Sequence, residues 1–193
     1  MRIPLEALSI CQTLRHKGYE AYLVGGAVRD YIMGREAHDW DIATNARPYV
    51  IQALFPHVIL TGLQHGTVTV LEGGIGFEVT TYRGDGDYTD GRRPDSVKFL
   101  DRIEDDLARR DFTMNAIAVD PVDGNVVDPY GGQYAIKHKI IRAVGDPKKR
   151  FQEDGLRVLR AVRFAATLGF SISPLTLDAI RPTLGTYANV APE

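Results

Sequence analysis

The chain has a single cysteine, Cys11, among its 193 residues, which excludes an intramolecular disulfide and suits a reducing cytoplasm. Cys11 falls within a helical pattern, so it reads as a buried structural thiol and not as a nucleophile. The sequence lacks any run of about 18 apolar residues, so no segment reads as a membrane span. No signal peptide is expected ahead of the first amphipathic segment. Charge of neither sign dominates: the formal net charge of −2 leaves no global footprint for nucleic acid, and any such binding must come from local clusters. Internal repeats and low-complexity tracts are absent. What is present, 44% hydrophobic and 25% charged residues, matches an ordinary soluble globular protein. The length suffices for one substantial domain plus part of another.

Leu5, Leu8, Ile10 and Leu14 recur at helical spacing before Gly18, and Ala21 to Val24 is a short apolar strand that ends at Gly25-Gly26. The pattern predicts a helix over 27–33 stopped at Gly34, a strand over 39–43, and a helix over 48–55 with Pro48 in the tolerated first turn. Segments 66–71 and 75–81 flank Glu72-Gly73-Gly74, a hairpin signal. Between Arg83 and Phe99 glycine and aspartate crowd together with Pro94, which reads as a long exposed loop of the kind that tends to be functional. Helix is expected again over 103–110, strands over 116–119 and 126–128, and one helical stretch from Asp146 to Gly169 before a last helix from Ser173-Pro174. These elements imply an α+β fold, with a small mixed β-sheet and helices on one side in residues 1–145. Residues 146–193 are expected to begin an all-helical part whose amphipathic last segment is too short to bury both faces alone.

The segment Asp39-Trp40-Asp41-Ile42-Ala43-Thr44 carries the sharpest chemistry. Two aspartates two apart on a strand share a face, while Trp40 and Ile42 turn into the core. Side-by-side carboxylates repel unless a cation lies between them, and Mg²⁺ is a hard ion that takes oxygen ligands and nucleotide phosphates. Gly25-Gly26 opens onto a helix start, where backbone N–H groups can approach an anion closely. Either motif alone is common in turns; their strand–Gly-Gly–helix–strand order reads as a metal-dependent nucleotidyl-transfer site. Glu78, set between Phe77 and Val79 on the predicted strand, is the best third carboxylate, although it is also placed to face solvent.

Two further clusters follow. In Arg109-Arg110-Asp111-Phe112-Thr113-Met114-Asn115, Arg110 is suited to clamp a phosphate, and Asp111 and Asn115 to meet ribose hydroxyls; a charged helix end is the plainer alternative. In Glu153-Asp154-Gly155-Leu156-Arg157, Asp154 and Arg157 are three apart on the expected helix and so are neighbours. An exposed ion pair is the dull explanation. The sharper one is base choice: cytosine and adenine each present an amino donor beside an unprotonated ring nitrogen, which a carboxylate and a guanidinium match. Uracil and guanine reverse that order and leave like facing like. Arg160 and Arg163 extend the positive surface toward phosphates or an RNA end.

Taken in order, Gly25-Gly26-Ala27-Val28-Arg29-Asp30, Asp39-Trp40-Asp41-Ile42-Ala43-Thr44, His65-Gly66-Thr67-Val68, Arg92-Arg93-Pro94, Arg109 to Ala116 and Glu153 to Arg157 resemble the class II tRNA nucleotidyltransferases, the bacterial CCA-adding enzymes of the polymerase β-type superfamily. The resemblance implies a nucleotidyltransferase head followed by a helical neck, with Asp39 and Asp41 as Mg²⁺ ligands. It implies that Gly26, Arg29, Arg110, Arg160 and Arg163 surround the incoming CTP or ATP, that Asp111 and Asn115 lie near the ribose, and that Asp154 and Arg157 select the base. The tRNA 3′ end is the implied second substrate. Residues 85–94 resemble the loop that helps such enzymes switch from CTP to ATP. Complete members continue into a helical body and tail that grip tRNA, so this chain is expected to be a truncated piece or a fragment. An A-adding specialist, a poly(A) polymerase, and, from another class, a non-catalytic nucleotide- or RNA-binding module remain as alternatives.

Overall fold

The computed structural model describes residues 3–86 and 96–188. Helix α1 (Leu5–His16) buries Ala7, Ile10, Cys11 and Leu14, so its core face is turned from the expected one, with Leu5 exposed and Leu8 half-buried, and it leads into strand β1 (Ala21–Val24). Helix α2 (Gly25–Ile32) starts at the glycine pair, and β2 (Asp41–Thr44) returns antiparallel to β1, with Asp41 opposite Val24. After α3 (Pro48–Leu54), the strands β3 (Val58–Gly62), β4 (Thr67–Glu72) and β5 (Ile75–Thr81) form an antiparallel meander that brings β5 parallel to β2. Strands β6 (Arg83–Asp85) and β7 (Val97–Phe99) pair with each other ahead of α4 (Ile103–Ala108). With β8 (Ala118–Val119) and β9 (Val126–Val127), the main sheet has seven strands in the order β3-β4-β5-β2-β1-β8-β9.

Helix α5 (Gly132–Lys137) and strand β10 (Ile140–Ile141) precede α6 (Pro147–Glu153), which Asp146 caps by accepting from the Lys148 N–H at 2.9 Å. Helix α7 (Leu156–Leu168), strand β11 (Ser171–Ile172) and helix α8 (Pro174–Ala188) follow, with β11 parallel to β10. One apolar core takes in Leu23, Ile42 and Val79 of the sheet, Phe112, and Phe151, Val158, Ala161 and Phe164 of α6 and α7. No helix among the described residues is long and apolar enough to cross a membrane.

The mixed α+β sheet and the hairpin agree with expectation, and four local readings change. The sheet is covered on both faces at its centre, because Ile103 and Leu107 of α4 pack with Val24, Ala43 and Ala118 in a second cluster. β2 begins at Asp41 and not at Asp39, whose φ of 51° is left-handed and cannot continue a strand. The irregular stretch expected from Arg83 to Phe99 has paired strands at its base, and the expected loop itself lies largely outside the described residues. The helix expected to run unbroken from Asp146 is two helices, interrupted at Asp154-Gly155.

Candidate active site

A cleft of about 610 Å³ lies where the start of α2, the first residue of β2, the segment after α4 and the face of α7 meet. Its wall brings together Gly25, Gly26 and Arg29 with Asp41, then Arg110, Asp111 and Asn115, then Asp154, Arg157, Arg160 and Arg163. Every residue expected to contact nucleotide is therefore in one place, although the segments lie far apart in sequence. Asp39 and Glu78 are not part of this wall.

Asp41 is one of three acidic groups in the cleft wall, with Asp111 and Asp154. Burial pushes the Asp41 carboxyl up to about 6; the nearby Glu78 charge and Asp39 add to the shift and Arg110 opposes it. Glu78 owes this proximity to register: Ile42 pairs with Val79, so Glu78 precedes its partner on β5 as Asp41 does on β2. Glu78 is solvent-exposed, in keeping with the plainer reading of it. Asp39 approaches from the bend before β2, with Trp40, 6% exposed, pinned edge-on against Tyr31 at 5.9 Å. The two aspartates therefore do not extend from one strand face: Asp39 lies in the left-handed bend that precedes β2, and Asp41 is the first residue of the strand. Among the described residues no three His, Cys, Asp or Glu side chains converge tightly enough to hold a metal. The donors are nonetheless hard oxygens under mutual repulsion, a set that a divalent cation would relieve.

The basic wall is held by hydrogen bonds. Asp106, 2% exposed, accepts from Arg109 Nε at 3.0 Å and from Arg110 Nη2 at 3.1 Å. Burial alone would raise the Asp106 carboxyl, but Arg109 and Arg110 hold it below the usual carboxylate value. The charged helix end read from the sequence is therefore an ion-pair triad that aims Arg110 at the cleft. Asp111 accepts from its own following N–H, at Phe112, at 2.7 Å, from Asn115 Nδ2 at 3.2 Å, and from Arg160 Nε at 2.7 Å. Asn115 Oδ1 in turn accepts from Arg29 Nη1 at 2.9 Å. A continuous polar chain therefore runs from α2 through the segment after α4 to α7.

The break before α7 changes the geometry of the base-selecting pair. Asp154, in an extended conformation, caps α7 by accepting from the Leu156 N–H at 2.9 Å, and Arg157 lies in the first turn of that helix. Arg157, 7% exposed, donates to the Arg150 carbonyl at 3.1 Å and the Arg109 carbonyl at 3.0 Å, and pairs with Glu153 at 2.8 Å. These three bonds occupy three of the five donors of a guanidinium. Glu153 and Asp106 escape a reading by sequence because an acid near arginines looks like any surface pair. Phe164 also lines the cleft, and no motif read from the sequence assigns it a role.

The chain matches the poly A polymerase head domain over residues 21–142. It is 53% identical over 188 residues to the CCA-adding enzyme of Geobacillus stearothermophilus, covering 97% of this chain and 46% of that one. The fold is similar to the crystal structure of the Bacillus stearothermophilus CCA-adding enzyme in complex with CTP, with a TM-score of 0.90 and 49% identity, over 99% of this chain and 46% of that chain. A tRNA nucleotidyltransferase complexed with a primer tRNA and an incoming ATP analog matches with a TM-score of 0.74 and 30% identity, over 91% of this chain and 50% of the other. The chain thus spans about half the length of these relatives. With the family's head domain matched across most of its length and the same fold around the cleft, the chain belongs to the poly A polymerase head-domain family.

Proposed function

We propose that this chain carries the nucleotide site of a template-independent tRNA nucleotidyltransferase that adds C, C and A to the tRNA 3′ end from CTP and ATP. The observation that carries the reading is the single cleft that unites Asp41 with arginines from three separate segments. The names of the similar proteins, CCA-adding enzymes, support it. Residues 1–145 act as the catalytic head and 146–193 as the start of a nucleotide-selecting neck.

Arg29, Arg110, Arg160 and Arg163 offer charge-assisted donors to the phosphates, and Gly25 and Gly26 allow close backbone approach. Asp111 and Asn115 serve the ribose side indirectly as well, since they fix Arg160 and Arg29. Asp154 accepts from the amino group shared by cytosine and adenine, and Arg157 donates to the adjacent ring nitrogen from the donors at Nε and Nη2 that its three protein bonds leave over. Asp39 and Asp41, supported by the Glu78 charge, would hold Mg²⁺. Bound there, it would lower the pKa of the attacking 3′-hydroxyl and neutralise the leaving pyrophosphate. The bond from the 3′ oxygen to the α-phosphorus forms as the α–β phosphoanhydride breaks, and positioning and charge do the catalysis without a covalent enzyme intermediate.

The test supplies tRNA transcripts ending before or after the two cytidines, with Mg²⁺ and each nucleotide singly. Addition of C, C and then A is the expected result, and Asp39→Ala with Asp41→Ala abolishes it while leaving the fold intact by circular dichroism. Addition of A alone to the CC-ended transcript identifies an A-adding specialist. Long A tracts on unrelated RNA identify a poly(A) polymerase.

A further inference from the structure

Phe164 is the aromatic ring in a cleft lined mostly by charged side chains. It is 8% exposed and lines the cleft, and three guanidiniums surround it: Arg29 at 5.2 Å, Arg160 at 5.4 Å and Arg163 at 5.5 Å from the ring centroid. All three lie within the range over which a cation is attracted to an aromatic face. The arrangement follows from helix geometry and from the fold. Arg160 and Phe164 are four apart on α7 with Arg163 beside the ring, so they share a neighbourhood on that helix. Arg29 arrives from α2. The ring is itself fixed edge-on against Phe112 at 5.9 Å and 89°, and Phe112 belongs to the segment that carries Asp111 and Asn115.

Like-charged guanidiniums gathered at one point repel. A carboxylate would hold them together but would cancel the charge that an anionic ligand needs. Asp30 does this in part for Arg29, and Asp111 for Arg160. Arg163 is exposed and has no carboxylate partner among the described residues; its contact is the ring. An aromatic face attracts cations through its quadrupole and carries no net charge, so it orients guanidiniums without neutralising them.

We propose that Phe164 is a positioning residue that gathers Arg29, Arg160 and Arg163 into one cationic surface for the phosphate tail of the incoming nucleoside triphosphate. The proposal rests on the reading of the cleft as a nucleotide site. A platform that serves the phosphates distinguishes a triphosphate from a monophosphate, which packing alone does not.

The experiment is calorimetric titration of this chain with CTP and with CMP, for wild type and for Phe164→Leu, Phe164→Met and Phe164→Tyr, beside a thermal melt of each. Leu and Met keep an apolar side chain against Phe112 and remove the ring face; Tyr keeps it. The expected result is a loss of about fivefold to tenfold in CTP affinity for Leu and Met, with CMP affinity changed less than about twofold. Tyr is expected to restore CTP binding to within about twofold of wild type. A steeper fall of CTP affinity with salt in wild type than in the Leu variant is also expected. If Leu and Met lower the melting temperature but keep the wild-type ratio of CTP to CMP affinity, the ring only packs and the proposal is wrong. If the wild-type chain binds neither nucleotide, the reading of the cleft fails and the platform falls with it.

Discussion

Replacing Gly25 with alanine separates backbone strain from crowding of the site. Gly25 has a φ of 80°, and a Cβ built there would lie 3.2 Å from Asp41 Oδ2 and 3.6 Å from Arg110 Nη1. Gly34, near the end of the same helix, is the control: its φ is 70°, and nothing lies within 4 Å of a Cβ at that position. An L-residue in the left-handed region costs about 1–2 kcal/mol, and loss of glycine's freedom in the unfolded chain returns about 0.4–1 kcal/mol. Gly34→Ala is therefore expected to lose about 1 kcal/mol, or about 2–4 °C in melting temperature for a chain of this size. Gly25→Ala carries the same strain and also forces the Asp41 carboxylate to give by a few tenths of an ångström, because a contact at 3.2 Å is tighter than ordinary van der Waals spacing. The added methyl sits between the acid and the arginine of the cleft. Its effect on CTP binding, read by calorimetry, is expected to reach about tenfold or more, equivalent to about 1.4 kcal/mol, while Gly34→Ala stays within about twofold of wild type. Equal melting losses in the two variants with CTP affinity intact in both would show that the glycine serves only the backbone and that the acid–arginine gap is not where nucleotide binds.

Asp106→Asn leaves Arg109 and Arg110 without their nearly buried counter-charge and is expected to cost about 2–3 kcal/mol by denaturant unfolding at neutral pH. Because the folded-state pKa of Asp106 is depressed, its stabilisation is present above the ordinary carboxylate value and is lost as pH falls through the folded one. The gap between wild type and variant should therefore narrow in strongly acidic buffer, and a constant gap would contradict the ion-pair account. Cys11 is fully buried and its thiol is pushed up to about 12, chiefly by burial and then by the Asp120 charge, with Arg15 opposing. Native protein should resist iodoacetamide at pH 8 until it is unfolded. Since the folded pKa is raised, the stability due to Cys11 is full below the unfolded thiol's pKa and falls as pH rises toward about 12, a decline that Cys11→Ala should remove. Asp111→Asn breaks the 2.6 Å pair with Arg160 and should weaken CTP binding more than it lowers the melting temperature; the reverse order would make the pair purely structural.

What a sequence can reveal here depends on whether the signal is local. The helix α1, the β4–β5 hairpin and the strand before Gly25-Gly26 are all stated by residues within a few positions of one another, and the structure has these elements, although the face of α1 turned to the core takes in Ala7 and Cys11 and leaves Leu5 exposed. The motifs of the cleft are legible for a similar reason: each is a short run of chemically unusual residues, even though only the fold brings the runs together. Asp39 is different. Its alternation with Trp40 and Asp41 fits a strand, and Trp40 is indeed buried against Tyr31 on α2, but Asp39 itself has a left-handed φ of 51° that the alternation does not announce. The reading that Glu78 neighbours the aspartates depends on the parallel β2–β5 register, which no local pattern specifies.

The break between α6 and α7 is the most instructive case: it falls at Asp154, whose φ of −143° and ψ of 106° are extended, beside a Gly155 that is itself helical at φ −60° and ψ −24°. A glycine inside a helical pattern costs about 1 kcal/mol and does not by itself end one. Gly155, however, lies against α8: a Cβ there would come within 2.7 Å of the Tyr187 backbone and 2.8 Å of the Thr186 carbonyl carbon. The two segments can approach so closely only where the side chain is missing, so the reason for the glycine lies about thirty residues on in sequence. With the helix interrupted, Asp154 leaves helical conformation, caps α7 with its carboxylate, and stands at the cleft beside an Arg157 whose guanidinium is tied to the carbonyls of Arg109 and Arg150. Gly155→Ala should then do more than lower the melting temperature. If it forces α8 away, it should relax the discrimination of CTP and ATP from UTP and GTP, which competition binding with the four nucleotides would read. A variant that melts earlier but still rejects UTP and GTP as wild type does would separate the helix break from base choice.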